Sequence, residues 1–189
     1  MIVSNSSKSI QFFNEMLSAA SCRNITVAQS CGEARRTVLG RSFDLIIINA
    51  PLIDESGEGF ARDVAANGIT QVILVVGSEH FDAVSAATED DGVLTVAKPV
   101  NRTIFWSALK FAMSAHNRMT QLKTENSKLS RKIEDIRIVD RAKCILIAYL
   151  KVSEQEAHRY IEKQAMDMRV TKRMIAEEIL KTYENANNR

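Results

Sequence analysis

The sequence predicts an α/β fold, a doubly wound five-stranded parallel sheet, followed by an all-helical second half. Short apolar runs alternate with amphipathic ones over residues 1–116, and the central runs are apolar at every position, as in strands buried on both faces. Glycine and proline are absent from residue 100 to the C-terminus. Residues 1–116 have a net charge of −3 (9 Lys and Arg, 12 Asp and Glu) and residues 117–189 one of +5 (16 and 11), which favours two functional units.

The elements of the first domain, residues 1–116, alternate regularly. Strands are predicted at residues 1–3, 24–30, 43–49, 71–77 and 92–99, and helices at residues 9–21, 31–41, 57–68 and 103–117. A variable stretch separates the last two strands. Ligand sites in such sheets lie at the carboxyl ends of the strands, so Asn5, Asn49, Gly77 and Lys98 are expected to converge there.

Residues 117–137 have the heptad pattern of a coiled coil. The a and d positions are Met119, Leu122, Asn126, Leu129, Ile133 and Ile136. An asparagine at an a position fixes the register and favours a parallel dimer, because the two amides pair across the axis. The pattern therefore predicts a homodimer, and the alternative is a single linker helix packed on its own domain.

Residues 129–183 are predicted to form a small three-helix bundle. The first helix continues from the coiled coil through AKCILIAYL, and the second opens with Ser153 and Glu156 at the spacing of a capping box. The apolar positions predicted to face inward on the last two helices are Ala157, Ile161, Ala165, Met174, Ile175, Ile179 and Leu180.

The first domain resembles the receiver domain of two-component response regulators. The resemblance rests on DLIIINAPLIDESGEGF, with Gly57 eight residues after Asn49, and on the Lys98-Pro99 pair after a strand. It implies a flavodoxin-like sheet with an acidic pair for magnesium, an aspartate nucleophile, a hydroxyl group and a lysine. In this chain the acidic pair falls on Ser4 and Asn5, or on Asn5 and Ser6. The nucleophile falls on Asn49 and the hydroxyl on Val76 or Gly77, and the lysine is Lys98.

These replacements predict a pseudo-receiver that is not phosphorylated. An amide is a poor nucleophile, and an uncharged pocket binds magnesium weakly. Asp54, five residues after Asn49, is expected to be a solvated turn residue and not a substitute acceptor. No catalytic constellation, metal site or cofactor site is predicted elsewhere, and surface positions are expected for His80, His116 and His158.

Residues 129–183 resemble the ANTAR domain, an RNA-binding module of bacterial transcription antiterminators. The resemblance rests on VDRAKCILIAYLKVSEQEAHRYIEKQAMDMRVTKRMIAEEIL, with its RAK, SEQEA and QAM elements. Cys144 and Ile147 stand where the family usually has glycine and methionine, and the usual arginine before RAK is shifted to Arg137. The basic residues expected to meet RNA phosphates are Arg137, Arg141, Lys143, Arg159, Lys163, Arg169, Lys172 and Arg173. Tyr149 and Tyr160 are the aromatic residues available for base stacking, although their spacing is more typical of core positions.

Together these features predict a non-enzymatic regulator that binds stem-loops of nascent transcripts and prevents a terminator from forming. A sensor or sequestering protein is a possible partner of the first domain. Two other functions stay open, a DNA-binding response regulator and a protein adaptor that dimerises through the coiled coil. The lack of a long apolar run and of a signal peptide predicts a cytoplasmic protein without a membrane partner, whose cysteines (Cys22, Cys31 and Cys144) are reduced.

Overall fold

The computed structural model describes residues 1–66 and 68–187, and the chain divides into two compact units, Met1–Leu122 and Lys123–Arg189. The first unit contains one sheet of five parallel strands. They are β1 (Ile2–Val3), β2 (Val27–Ala28), β3 (Leu45–Asn49), β4 (Gln71–Gly77) and β5 (Val93–Lys98), and their spatial order is β2-β1-β3-β4-β5. This order is that of a flavodoxin-like doubly wound sheet and confirms the predicted fold class.

Helices cover both faces of this sheet. They are α1 (Ser7–Ala19), α2 (Cys31–Gly40), α3 (Glu58–Ala65), α4 (Phe81–Thr88) and the first part of α5 (Arg102–Leu150). Ile46 and Ile48 of β3 pack in the cluster that includes α2, α3 and α4, while Ile47 packs in the cluster of α1 and α5. Because successive strand side chains point to opposite faces, a run of isoleucines is fully buried only in a sheet with two helical layers.

Three elements of the first unit differ from the prediction. β2 has two residues instead of seven, because it is an edge strand whose only neighbour in the sheet, β1, also has two. The variable stretch forms a 3-10 turn, Ser78–His80, followed by α4, whose apolar pattern is too short to reveal a period. The helix predicted at residues 57–68 ends at Ala65, and Asn67 lies outside the described residues.

The second unit is built from the last part of α5 with α6 (Glu154–Met168) and α7 (Lys172–Asn187). Its core contains Ala142, Leu146, Ala157, Ile161 and Ala176, each no more than 2% exposed. None of the described helices has a stretch long and apolar enough to cross a lipid bilayer.

The N-terminus of α6 has the predicted capping box. Ser153 Oγ accepts a hydrogen bond from the backbone N–H of Glu156 at 3.3 Å, and the Glu156 carboxylate accepts one from the Ser153 N–H at 2.8 Å. These bonds satisfy two backbone donors that an uncapped helix leaves without a partner. The helix therefore begins where the sequence predicts.

Two predictions of burial were wrong. Met174 is 54% exposed, because the inward face of α7 is set by Ile175, Ile179 and their neighbours, and Met174 lies one residue to the side of it. His116 is not a surface histidine, since its side chain is only 18% exposed. Its Nδ1 lies 3.0 Å from the carbonyl oxygen of Ile69, where α5 packs against the start of β4.

Candidate functional site

Three of the four residues predicted at the carboxyl edge of the sheet, Asn49, Gly77 and Lys98, lie at the ends of strands there, and Asn49 is next to Ser4 instead of Asn5. The register of β1 and β3 pairs Val3 with Ile48, which places the next residues, Ser4 and Asn49, side by side. Asn49 Nδ2 donates a hydrogen bond to Ser4 Oγ at 3.1 Å, and both side chains are buried. At the other side of the edge, the register of β4 and β5 pairs Gly77 with Lys98.

Lys98 is the cation of this edge. Its Nζ donates a hydrogen bond to the carbonyl oxygen of Ala50, the residue after Asn49. Burial lowers the pKa of the Lys98 ammonium group, and the charge of Glu79 opposes that shift in part. Glu79 folds over Gly77, since a Cβ atom on Gly77 would lie only 2.4 Å from Glu79 Oε1. Lys98 Nζ therefore contacts a backbone oxygen and has the Glu79 carboxylate nearby.

The positions predicted for the acidic pair hold neutral side chains, and two of them, Ser4 and Ser6, make local hydrogen bonds. Ser4 Oγ accepts a hydrogen bond from the backbone N–H of Ser6 at 3.2 Å, and Ser6 Oγ caps α1 through the N–H of Ser9. Asn5 is exposed. Within residues 1–66 and 68–187, no group of three or more histidine, cysteine, aspartate or glutamate side chains is placed to hold a metal ion.

Asp54 has a structural role that was not predicted. Its carboxylate accepts hydrogen bonds from the backbone N–H groups of Cys31 and Gly32, at 3.1 and 2.8 Å, at the N-terminus of α2. The bond from Gly32 is the main cause of the lowered pKa of Asp54. Asp54 is exposed to solvent, as expected, and these two bonds add a role that the sequence did not show. Sequence reasoning missed this cap because the helix that it stabilises starts 23 residues earlier.

Three of the basic residues expected to meet RNA are engaged in ion pairs. Lys143 Nζ lies 2.8 Å from a carboxylate oxygen of Asp140 and 2.9 Å from one of Glu154, and these bonds raise the pKa of Lys143. Lys172 pairs with Glu162. Arg173 Nη1 lies 2.8 Å from Asp135 and Nε lies 2.8 Å from Glu177, which raises the pKa of Arg173. These cations therefore join helices within the bundle, and a phosphate would have to compete with their carboxylates.

The other five expected RNA contacts are exposed to solvent. They are Arg137, Arg141, Arg159, Lys163 and Arg169. Arg169 ends α6 in the left-handed backbone region, with φ at 54°, so its side chain projects from a helix terminus and not from a helix face. The bundle therefore offers cations on α5, on α6 and at the turn that follows α6, as binding to a polyanion requires.

The predicted heptad positions on α5 are also exposed. The five apolar residues among them are Met119, Leu122, Leu129, Ile133 and Ile136, and each is at least 43% exposed. Asn126, between them in the sequence pattern, is exposed as well. Large apolar side chains repeated at seven-residue intervals in contact with water are typical of a helix that pairs with another helix.

Comparisons with known proteins agree with both halves of this description. The model of the ANTAR domain family matches residues 127–180. The transcriptional regulatory protein PdtaR of Mycobacterium tuberculosis is 27% identical over 139 residues, which cover 74% of this chain and 68% of PdtaR.

Among solved structures, a CheY-like response regulator receiver domain protein from Methanospirillum hungatei JF-1 is 18% identical with a TM-score of 0.54, covering 62% of this chain and 94% of that protein. A response regulator receiver domain protein from Clostridium thermocellum is 22% identical with a TM-score of 0.53, covering 64% and 95%. The chain thus has a receiver-like fold in its first unit, contains an ANTAR domain in its second, and is homologous to PdtaR.

Proposed function

We propose that this chain, which joins an ANTAR domain to a domain with the receiver fold, is a non-enzymatic, RNA-binding transcription antitermination regulator. It binds stem-loops of nascent transcripts, as the ANTAR resemblance implies, and so prevents a terminator hairpin from forming. The ANTAR match at residues 127–180 is the observation that carries this proposal. PdtaR, the relative with 27% identity, is itself named a transcriptional regulatory protein.

The charges of the second unit support binding to RNA. Arg137 on α5 and Lys163 on α6 are exposed and make no ion pair with any residue that the structure describes. A cation of this kind neutralises a phosphate and releases its counterions, so binding should weaken steeply as salt concentration rises. Hydrogen bonds and stacking at unpaired loop bases then supply the preference for particular stem-loops.

The proposal includes a homodimer formed through the heptad positions of α5. Two ANTAR domains held on one dimer would meet two stem-loops of the same transcript, and the second contact would benefit from a raised effective concentration. Asn126 supports a second copy of this chain as the partner, because an asparagine at an a position pairs with its own equivalent in a parallel dimer.

The first domain is proposed to act as a pseudo-receiver. Asn49 is buried with its amide bonded to Ser4 Oγ, and Lys98 is bonded to a backbone carbonyl, so the edge has a cation but no carboxylate nucleophile. A neutral amide does not attack a phosphoryl donor as a carboxylate does. Control of this regulator therefore comes from a protein bound to the first domain, or from the supply of RNA.

Gel shifts of the full chain with a stem-loop RNA and with a duplex DNA of equal length test the proposed function. We expect a clear preference for the stem-loop, and a preference for the duplex would favour a DNA-binding regulator. Arg137→Glu and Lys163→Glu should each weaken stem-loop binding. Each should also reduce the slope of the logarithm of the binding constant against the logarithm of salt concentration by about one.

Arg23→Glu is the matched control for these charge reversals. It makes the same change of net charge at an exposed position of the first unit. If Arg23→Glu weakened RNA binding as much as the other two variants, the effect would come from the overall charge of the protein. That result would contradict an RNA interface on the second unit. If reversal at Arg137 and Lys163 left RNA binding unchanged, the protein adaptor would be the better description.

A further inference from the structure

A groove of about 280 Å³ lies between the three helices of the second unit. Its lining includes Leu150, Tyr160, Gln164, Met168, Glu178 and Tyr183. Tyr160 is 47% exposed and Met168 is 55% exposed, so the groove opens to water through apolar and aromatic side chains. A recess that combines exposed aromatic and aliphatic side chains with polar ones is a candidate place for a ligand to bind.

The walls follow from the spacing of residues on α6. The inward face of α6 carries Ala157, Ile161 and Ala165, four residues apart. Tyr160 and Gln164 each come one residue before a member of this set, and they lie along the edge of the core, where they line the groove. On the opposite wall, the Tyr183 ring contacts the Tyr149 ring at a tilt of 44°, with ring centroids 4.8 Å apart. One side of the Tyr183 ring is therefore covered by Tyr149, whereas Tyr160 is 47% exposed.

The polar groups in the groove suit a planar ligand with hydrogen-bonding edges. The Gln164 amide both donates and accepts hydrogen bonds, and the Glu178 carboxylate accepts them from N–H groups. An unpaired nucleobase has a flat face for an aromatic ring and N–H donors and acceptors on its Watson–Crick edge. The groove thus combines the two kinds of contact by which proteins hold a single unstacked base.

Exposed cations close to the lining residues in the chain favour a nucleotide over an uncharged ligand. Four exposed cations are next to lining residues in the chain, namely Lys151, Lys163, Arg169 and Lys181, while the lining itself contains no lysine or arginine. None of them is ion-paired with another residue in the described part of the chain. By contrast, the cavity of about 330 Å³ beside Lys143 and Arg173 is lined by cations that pair with carboxylates. The cations near the tyrosine-lined groove in the chain therefore have no carboxylate with which a phosphate would compete among the described residues.

We propose that this groove binds one unpaired base of the stem-loop RNA. The base stacks on Tyr160, its edge meets Gln164 and Glu178, and its flanking phosphates are neutralised by exposed cations such as Lys151 and Arg169, which follow lining residues at helix ends. The inference rests on the proposed function, because it assigns a position on the protein to one nucleotide of the RNA that the ANTAR domain binds.

The test uses the full chain and a pool of hairpins with a fixed duplex stem and a randomised loop. A hairpin selected from the pool by the wild-type protein is then measured against Tyr160→Leu, which keeps an apolar side chain but removes the ring. We expect its affinity to fall roughly 5- to 100-fold, as for the loss of one base–aromatic stack. Tyr160→Phe, the matched control, keeps the ring and should bind within about two-fold of wild type.

Two further measurements locate the base. Removing single loop bases from the hairpin should identify one position whose loss weakens wild-type binding but has little added effect on Tyr160→Leu, because both changes remove the same contact. Glu178→Gln, on the opposite wall, keeps the size of the side chain and should change the base preferred at that one position. This second variant decides the question if Tyr160→Leu loses helicity.

The outcomes separate the inference from the function on which it rests. If no hairpin is enriched over the fixed stem alone, both fall. If hairpins are enriched but Tyr160→Leu and Glu178→Gln bind them like wild type, the groove is not a base site and is better explained as a protein-docking face, while RNA binding by the second unit stands. If the removal of each loop base weakened binding to the wild-type protein by the same amount, the inference would also be overturned.

Discussion

The capping box of α6 gives the sharpest test of how the second unit is held together. Ser153→Ala removes the Oγ atom that accepts from the Glu156 N–H at 3.3 Å and contacts the Glu156 carboxylate at 2.8 Å. The bond from the Ser153 N–H to that carboxylate does not need the hydroxyl group and can remain. Because half of the box survives, we expect the free energy of unfolding to fall by about 1 kcal/mol, the middle of the range for an N-cap replacement.

The assay is thermal unfolding of the full chain by circular dichroism, combined with hydrogen exchange of the first α6 amides. A loss of about 1 kcal/mol lowers the melting temperature by roughly 4–8 °C if the second unit, Lys123–Arg189, unfolds by itself. The shift is roughly 2–4 °C if the whole chain unfolds in one transition. Ser153→Thr retains a hydroxyl group and is the control, with a melting temperature near that of wild type.

The same box predicts a dependence on pH. Hydrogen bonds from Ser153 lower the pKa of the folded-state Glu156 carboxylate below its ordinary value of 4.5. A lowered folded-state pKa means that this stabilisation is complete above about pH 4.5 and is lost as the pH falls through the folded-state value. The difference between wild type and Ser153→Ala should therefore shrink in acid. A difference that grows in acid, or a Ser153→Ala protein as stable as wild type at pH 7, would refute the role assigned to the box.

Three other changes test the core, the dimer and the first domain. Ile161 is fully buried, so Ile161→Ala should lower the free energy of unfolding by about 2–5 kcal/mol in denaturant titrations, and Ile161→Val by about 0.5–1.5 kcal/mol. Similar losses for both variants would contradict close packing around this side chain. Asn126→Val should strengthen self-association and allow oligomers other than the dimer in sedimentation experiments, because the paired amides that specify the dimer are lost. An unchanged sedimentation profile would argue against pairing through the heptad positions. Asn49→Asp should not give a stable phosphoprotein with acetyl phosphate and magnesium, because Ser4 and Asn5 supply no second carboxylate; mass spectrometry that detected one would show that a single substitution restores the site.

Local patterns in this chain were predicted correctly. The isoleucine run of β3 indicates a strand buried on both faces, and the structure places its residues in two separate core clusters. Ser153 and Glu156 are three residues apart and meet as a capping box, because the geometry of one helical turn is the same in any fold. The α4 helix, Phe81–Thr88, was not assigned because eight residues contain too few repeats for a period to emerge.

Contacts between distant residues were not predictable in the same way. Asp54 caps a helix that begins 23 residues before it, and His116 contacts the carbonyl of Ile69, 47 residues away. Lys143 and Arg173 belong to a basic pattern in the sequence, yet their nearest charged partners lie on a neighbouring helix or a turn away on their own helix. A sequence pattern shows which side chains are charged, but their partners depend on how the helices pack.

The sequence by itself determined the order of the strands and of every helix except α4, the heptad pattern on α5, the capping box of α6 and the neutral residues at the receiver-like edge. These features depend on residues that are close in the chain or on the identity of single residues. Only the tertiary structure decided that Asn49 bonds to Ser4, that Asp54 caps α2 and that Tyr160 lines an open groove between the helices of the second unit. The physical reason is that hydrogen bonds, ion pairs and grooves form between surfaces, and the chain brings those surfaces together only when its elements pack.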